Sequence, residues 1–181
     1  MGSSPVLQNP QSLHNVFVYG SLLADEVVRV LLKRVPESSP AALDGYHRFS
    51  IKGRVYPAIL PVENKKVTGK VLKHITDPEL DILDAFEDVE YERRSVEVSL
   101  TGEECLQDKS EKIKAHTYVW ENKNDPNLYG EWDFEEWKQV HLNDFLRMSS
   151  NFMEELDLPD SRTRVVTYES FFQAGDEKSM A

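Results

Sequence analysis

Short apolar runs broken by Gly and Pro fill the first part of the chain, and the period of the pattern changes along it. Val16-Phe17-Val18-Tyr19 is β-branched and aromatic and is stopped by Gly20-Ser21; Val27, Val28, Leu31, Leu32 and Val35 then recur at helical spacing. This predicts a strand beginning near Asn15, a tight turn and a helix. Extended stretches follow at 43–51, 55–60 and 66–75, and they predict a meandering sheet.

The period switches at Thr76-Asp77-Pro78-Glu79, which supplies an N-cap, a first-turn proline and an acidic start, so a second helix is expected through about Asp88. Residues 94–100 and 113–120 alternate as paired strands should, and the polar segment 101–112 between them reads as a mobile hairpin loop. Phe134, Trp137, His141, Phe145 and Met148 then step by three or four, predicting a long amphipathic helix at about 131–156. Asp157-Leu158-Pro159-Asp160 ends it. Residues 1–14 read as a flexible arm, 15–157 as one folded domain, and 158–181 as a tail whose β-like run at 164–168 reads as an added edge strand. About six strands and three helices result. The strands are mostly consecutive and therefore mostly antiparallel, which favours α+β over a doubly wound fold.

Composition narrows the partners. The chain has 181 residues, 40% apolar and 29% charged, enough for one core that buries about 70% of the unfolded surface. Twenty-one basic against 32 acidic residues leave a net charge of −11, so nucleic acid and anionic membranes are poor partners. Cys105 stands alone, which excludes an intramolecular disulfide and a multi-thiolate zinc site and fits a reducing compartment. No apolar run approaches the roughly 20 residues of a membrane span, no Asn-x-Ser/Thr sequon occurs, and Val6 spoils a myristoylation-like start. A cytoplasmic location is the expectation.

Two places carry candidate chemistry. In Tyr19-Gly20-Ser21-Leu22-Leu23-Ala24 a strand turns sharply into a helix; Gly20 permits backbone conformations denied to other residues, and N–H groups at such a turn can converge on a carboxylate. The same residues also suit an ordinary strand-to-helix turn. The second place is the helix over residues 80–88. At about 100° per residue from Leu80, the residues Ile82, Leu83 and Phe86 gather at about 200–300°, while Asp81, Asp84 and Asp88 form an acidic face at about 40–100°. Glu87 falls at about 340°, the one carboxylate on the apolar arc. Partly apolar surroundings would raise its pKa toward neutrality and make it a general base; a border residue paired with Lys or Arg is the alternative.

Other residues are weaker candidates. Ser21 lacks the Gly-x-Ser-x-Gly setting of a hydrolase nucleophile. His47, His74, His116 and His141 show no metal-ligand spacing, and Trp120, Trp132 and Trp137 suit core anchors better than a stacking platform. Arg93 and Arg94, close after Tyr91, can face either a substrate carboxylate or Glu87.

The order of the pieces adds a resemblance. Val18-Tyr19-Gly20-Ser21-Leu22, Gly53-Arg54-Val55-Tyr56-Pro57-Ala58-Ile59, Val67-Thr68-Gly69-Lys70-Val71, Leu83-Asp84-Ala85-Phe86-Glu87 and Tyr91-Glu92-Arg93 follow one another within residues 15–120. Together they resemble the gamma-glutamylcyclotransferase-like family, especially its plant avirulence-induced branch. The resemblance implies a small mixed, mostly antiparallel β-barrel with flanking helices. It places a substrate cradle at Tyr19, Gly20, Ser21, Leu22, Leu23 and Ala24 and a proton acceptor at Glu87, with Tyr118 as a further pocket position. The implied reaction cyclises a small γ-glutamyl substrate to 5-oxoproline without cofactor or metal. A non-catalytic module that keeps the pocket for a small ligand or a protein is the rival. Neither the leaving group nor the role of the last helix and tail follows from the resemblance.

Overall fold

The computed structural model describes residues 12–87, 90–101 and 111–156. The expected arm up to residue 11, most of the hairpin loop, Asp88, and the edge strand and tail after residue 156 lie outside the described residues. In chain order come β1 (Leu13–Val18), a 3-10 turn (Ser21–Leu23), α1 (Asp25–Leu32), β2 (Ser38–Ile51), β3 (Ala58–Thr76), α2 (Asp77–Glu87), β4 (Tyr91–Leu100), β5 (Lys112–Trp120), β6 (Leu128–Tyr129) and α3 (Phe134–Leu156). The fold is a mixed sheet with three α-helices, in the α+β class that the consecutive strands predict.

The strands pair in the order β3-β1-β5-β4-β2-β6, and β3 pairs with β2 as well, so the pairings from β3 through β1, β5, β4 and β2 return to their start. All pairings are antiparallel except β1 with β5, which meet in parallel at Val16 and His116. The sheet is thus not a simple meander, because β1 lies between β3 and β5.

Three differences from the sequence pattern have local causes. Residues 58–60 and the stretch at 66–75 belong to one strand, β3, with 55–57 leading into it; pairing steps from Asp44↔Lys66 to Tyr46↔Pro61, so residues 62–65 bulge out of register instead of ending the strand. Val35 lies beyond α1 and is exposed, because Lys33 turns left-handed (φ 64°) and its N–H closes on the Arg29 carbonyl at 2.9 Å. The two-residue strand β6, too short to leave a periodic signal, pairs with Ser50 and Ile51.

Two helices position the site. At the start of α2 the Glu79 carboxylate accepts from the Thr76 N–H (3.0 Å) and the Thr76 hydroxyl accepts from the Glu79 N–H (3.3 Å), a reciprocal cap that fixes where this helix begins. Arg34 grips the same carboxylate with two bonds of 2.6 and 2.7 Å and holds it below the usual carboxylate range. Leu80, Leu83 and Phe86 of α2 are buried, as the helical wheel requires. On α3, Trp137, Phe145, Met148 and Phe152 form the buried stripe, and the Phe86 ring meets Phe145 and Phe152 edge-on at 6.0 and 5.3 Å. Among the described residues no helix is long and apolar enough to cross a membrane.

Candidate active site

β1 leaves its ladder with β3 after Val18↔Lys70, and Tyr19 and Gly20 carry the chain into the 3-10 turn. Gly20 has φ −128°, so it does not use the left-handed region; it is needed because a β-carbon there would lie 2.8 Å from the Pro57 ring. Inside the turn, the N–H groups of Leu23 and Ala24 bond the carbonyls of Gly20 and Ser21 at 2.9 and 3.1 Å. Ser21 and Leu22 open the turn, where N–H groups have no partner within the turn itself.

The turn forms one wall of a pocket. Tyr19, Gly20, Ser21 and Leu22 line it, and so does Glu87, the last residue of α2, half-buried and carrying the only carboxylate among the described lining residues. Leu23 and Ala24 do not line it. The 3-10 turn sends Leu23 toward the core and Ala24 to the start of α1, so the cradle expected over six residues meets the pocket with its first four.

Aromatic side chains make most of the rest. Tyr56, Tyr91, Tyr118, Phe86 and Phe145 bring β3's approach, β4, β5, α2 and α3 to one place. Each tyrosine hydroxyl donates to a protein acceptor: Tyr19 to the Tyr118 carbonyl (2.5 Å), Tyr118 to Asp84 (2.7 Å), Tyr91 to the Pro57 carbonyl (2.7 Å) and Tyr56 to Glu90 (3.0 Å). Their hydroxyl protons are thus directed to protein acceptors.

Burial, then the negative charge of Glu87, pushes the Tyr19 phenol well above its ordinary value, with Arg48 opposing. Burial raises Tyr118 too, followed by its hydrogen bond to Asp84 and by the charges of Asp84 and Glu87. Both phenols stay protonated as donors, and both feel the carboxylate of Glu87.

Several weaker candidates find structural work elsewhere. Arg93 pairs with Asp84 at 3.0 Å and Arg94 with Glu92 at 2.5 Å, and neither lines the pocket. Asp84, placed on the acidic face by the wheel, anchors both Tyr118 and Arg93. No histidine is among the described lining residues, so Ser21 has no base of the triad kind, and the described residues hold no group of three or more metal ligands. His47 bonds the Gly130 carbonyl at 2.8 Å, and Trp120 and Trp132 donate to Asp125 and to the Val55 carbonyl at 2.9 Å. No local pattern marks Tyr56, Pro57, Tyr91 or Phe145 as pocket residues. Tyr56 and Pro57 lie in the segment 53–59 and Tyr91 in 91–93, whereas Phe145 has only its place on an apolar stripe.

The model of the family described as gamma-glutamyl cyclotransferase, AIG2-like, matches residues 16–139. AIG2-like protein D of Arabidopsis thaliana is 59% identical over 150 residues, covering 83% of this chain and 95% of that protein. A solution structure from Arabidopsis thaliana, 46% identical, covers 84% of this chain and 98% of its own with a TM-score of 0.60. A structure described as a gamma-glutamyl cyclotransferase is 20% identical, covers 61% of this chain and 68% of its own with a TM-score of 0.51, and shows likeness of fold. With the family model spanning most of the chain and relatives matching along nearly their whole length, the chain belongs to the AIG2-like gamma-glutamyl cyclotransferase family.

Proposed function

We propose that the protein is a gamma-glutamylcyclotransferase that converts a γ-glutamyl amine or amino acid to 5-oxoproline and releases the amine. The observation that carries this reading is the meeting of Glu87 with the Gly20–Ser21–Leu22 turn in one pocket walled by aromatic rings. Family membership supports it, and so does the name of the solved cyclotransferase that shares the fold. The ring of strand pairings likewise supports reading the sheet as the small barrel of such enzymes.

In the proposed reaction the substrate's own α-amine attacks its γ-carbonyl carbon, a C–N bond forms to close the five-membered ring, and the γ-amide C–N bond breaks. An α-ammonium cannot attack, so Glu87 takes its proton and later passes one to the departing nitrogen. The balance needs no water, cofactor or metal. The turn holds the glutamyl moiety and its backbone donors face the developing oxyanion, while the rings exclude water and limit the chain to rotamers that bring amine and carbonyl together. A small γ-glutamyl compound in the cytoplasm, with neither nucleic acid nor membrane as partner, completes the proposal.

A panel of γ-glutamyl amino acids and γ-glutamyl amines, assayed for 5-oxoproline, tests the reading and reports the leaving group. Release from at least one member is expected. No release from any member, together with stabilisation by the same compounds, would replace the enzyme by a binding module that kept the pocket.

A further inference from the structure

We propose that Arg48 is a positioning residue for the substrate cradle and acts through the main-chain carbonyl of Tyr19. The inference rests on the reading of the Gly20–Leu22 turn as the cradle. Arg48 lies on β2, opposite Ile59 of β3, and its Nη1 donates to two carbonyls, that of Tyr19 at 2.8 Å and that of Thr68 at 3.0 Å. The Tyr19 carbonyl falls one residue past the last β1–β3 pair, so the sheet offers it no strand partner at that point. A guanidinium takes the place of the missing strand.

The choice of partners is informative. Among the described residues Arg48 forms no ion pair within 4.0 Å, and its Nε is buried without an acceptor. A half-buried cation is therefore committed to main-chain oxygens. The Trp132 ring lies 5.8 Å from its Cζ, and the Trp132 main-chain N–H donates to the Arg48 carbonyl at 3.3 Å, so one residue meets both the side chain and the backbone of Arg48. Burial weakens the cation, whereas Glu131 and Asp133 favour it.

A charge-assisted bond to a carbonyl constrains the whole peptide plane, and the other half of the Tyr19–Gly20 plane is the Gly20 N–H. The next two residues line the pocket. Loss of the guanidinium would free this plane to rotate, and a displacement of about 1 Å at a substrate-holding turn costs on the order of 10²-fold in rate. Arg48 itself lines a separate, solvent-open depression with Glu131, Trp132 and Asp133, so a free guanidinium ion has an access route and two carboxylates to draw it in.

The test replaces Arg48 by Met and follows two signals, the amide resonance of Gly20 and the rate of 5-oxoproline release. The inference predicts a folded variant whose Gly20 amide nitrogen shifts while the amides of α3 stay in place, with kcat/KM lower by about 10²-fold. Guanidinium at a non-denaturing concentration should move both signals back, and sodium at equal ionic strength should move neither. Arg48→Lys, which presents a point charge instead of a planar fork, should recover only part of the loss and serves the same two readouts if the Met variant does not fold. An unmoved Gly20 resonance, or shifts spread over the whole sheet with no guanidinium response, would overturn the assignment. If the wild type releases no 5-oxoproline, the proposed function fails, and the Gly20 resonance still decides the role of Arg48.

Discussion

Gly69 shows how a single residue can be required by a neighbour far away in sequence. It pairs with Ala41, and a β-carbon built on it would lie 2.2 Å from the Val18 carbonyl oxygen, a main-chain atom that cannot step aside. Gly69→Ala should therefore cost at least about 1–3 kcal/mol, read as a lower denaturation midpoint; an unchanged midpoint would show that β1 and β3 can separate there without penalty. His116 offers a second test at this scale. Burial, followed by the charges of Arg93 and His14, holds its imidazole below the ordinary 6.5, with Asp84 opposing. The unfolded chain then takes up the proton first as pH falls, so the stability tied to neutral His116 is complete above about pH 6.5 and is lost as pH drops through the lowered value. An NMR titration should give a midpoint below 6.5, and His116→Asn should flatten the acid side of the stability profile; a midpoint at or above 6.5 contradicts this. Neither effect is legible locally. Gly20 was visible in the sequence as a turn glycine, but its reason is the Pro57 ring rather than a left-handed φ, and no local pattern encodes that approach.

At the scale of elements, α2 was the most legible piece. Thr76 and Glu79 mark its start, and the wheel turns Glu87 away from the acidic face, which agrees with its place on the pocket wall. A wheel gives a direction and not a partner: it places Asp84 on the acidic face, and only the fold shows that Asp84 receives Tyr118 and Arg93 from two strands. The helix α3 was legible as an amphipathic helix, and only its packing reveals that Phe145 reaches the pocket while touching Trp137 edge-on at 5.4 Å. The family model's match ends at residue 139, within α3, and Phe145 lies beyond it. Phe145→Ala should cost about 3–5 kcal/mol and weaken ligand-induced stabilisation. Val140→Ala, on the exposed side of the same helix, should change stability by less than about 0.5 kcal/mol. Equal effects from the two would mean that the buried stripe of α3 does not carry its stability.

At the scale of the whole molecule, the pocket gathers residues from Phe17 to Phe145, and the closed ring of strand pairings is what brings them to one place. The turn and Glu87 stood out in the sequence because each sits in a local pattern, a strand stop or a helical face. The walls at Tyr56, Tyr91 and Phe145 did not, because an aromatic side chain has the same local signature in a core and in a pocket. Among the described residues Glu87 is the one carboxylate that lines the pocket together with the turn, and the proposed reaction depends on it as the proton acceptor. The most direct measurement is the rate of 5-oxoproline release by Glu87→Gln beside the wild type, on whichever γ-glutamyl compound the panel identifies. If Glu87 is the proton acceptor, kcat falls by roughly 10²- to 10⁴-fold with ligand-induced stabilisation retained. A variant that turns over within about tenfold of the wild type would contradict it and move the base elsewhere in the pocket.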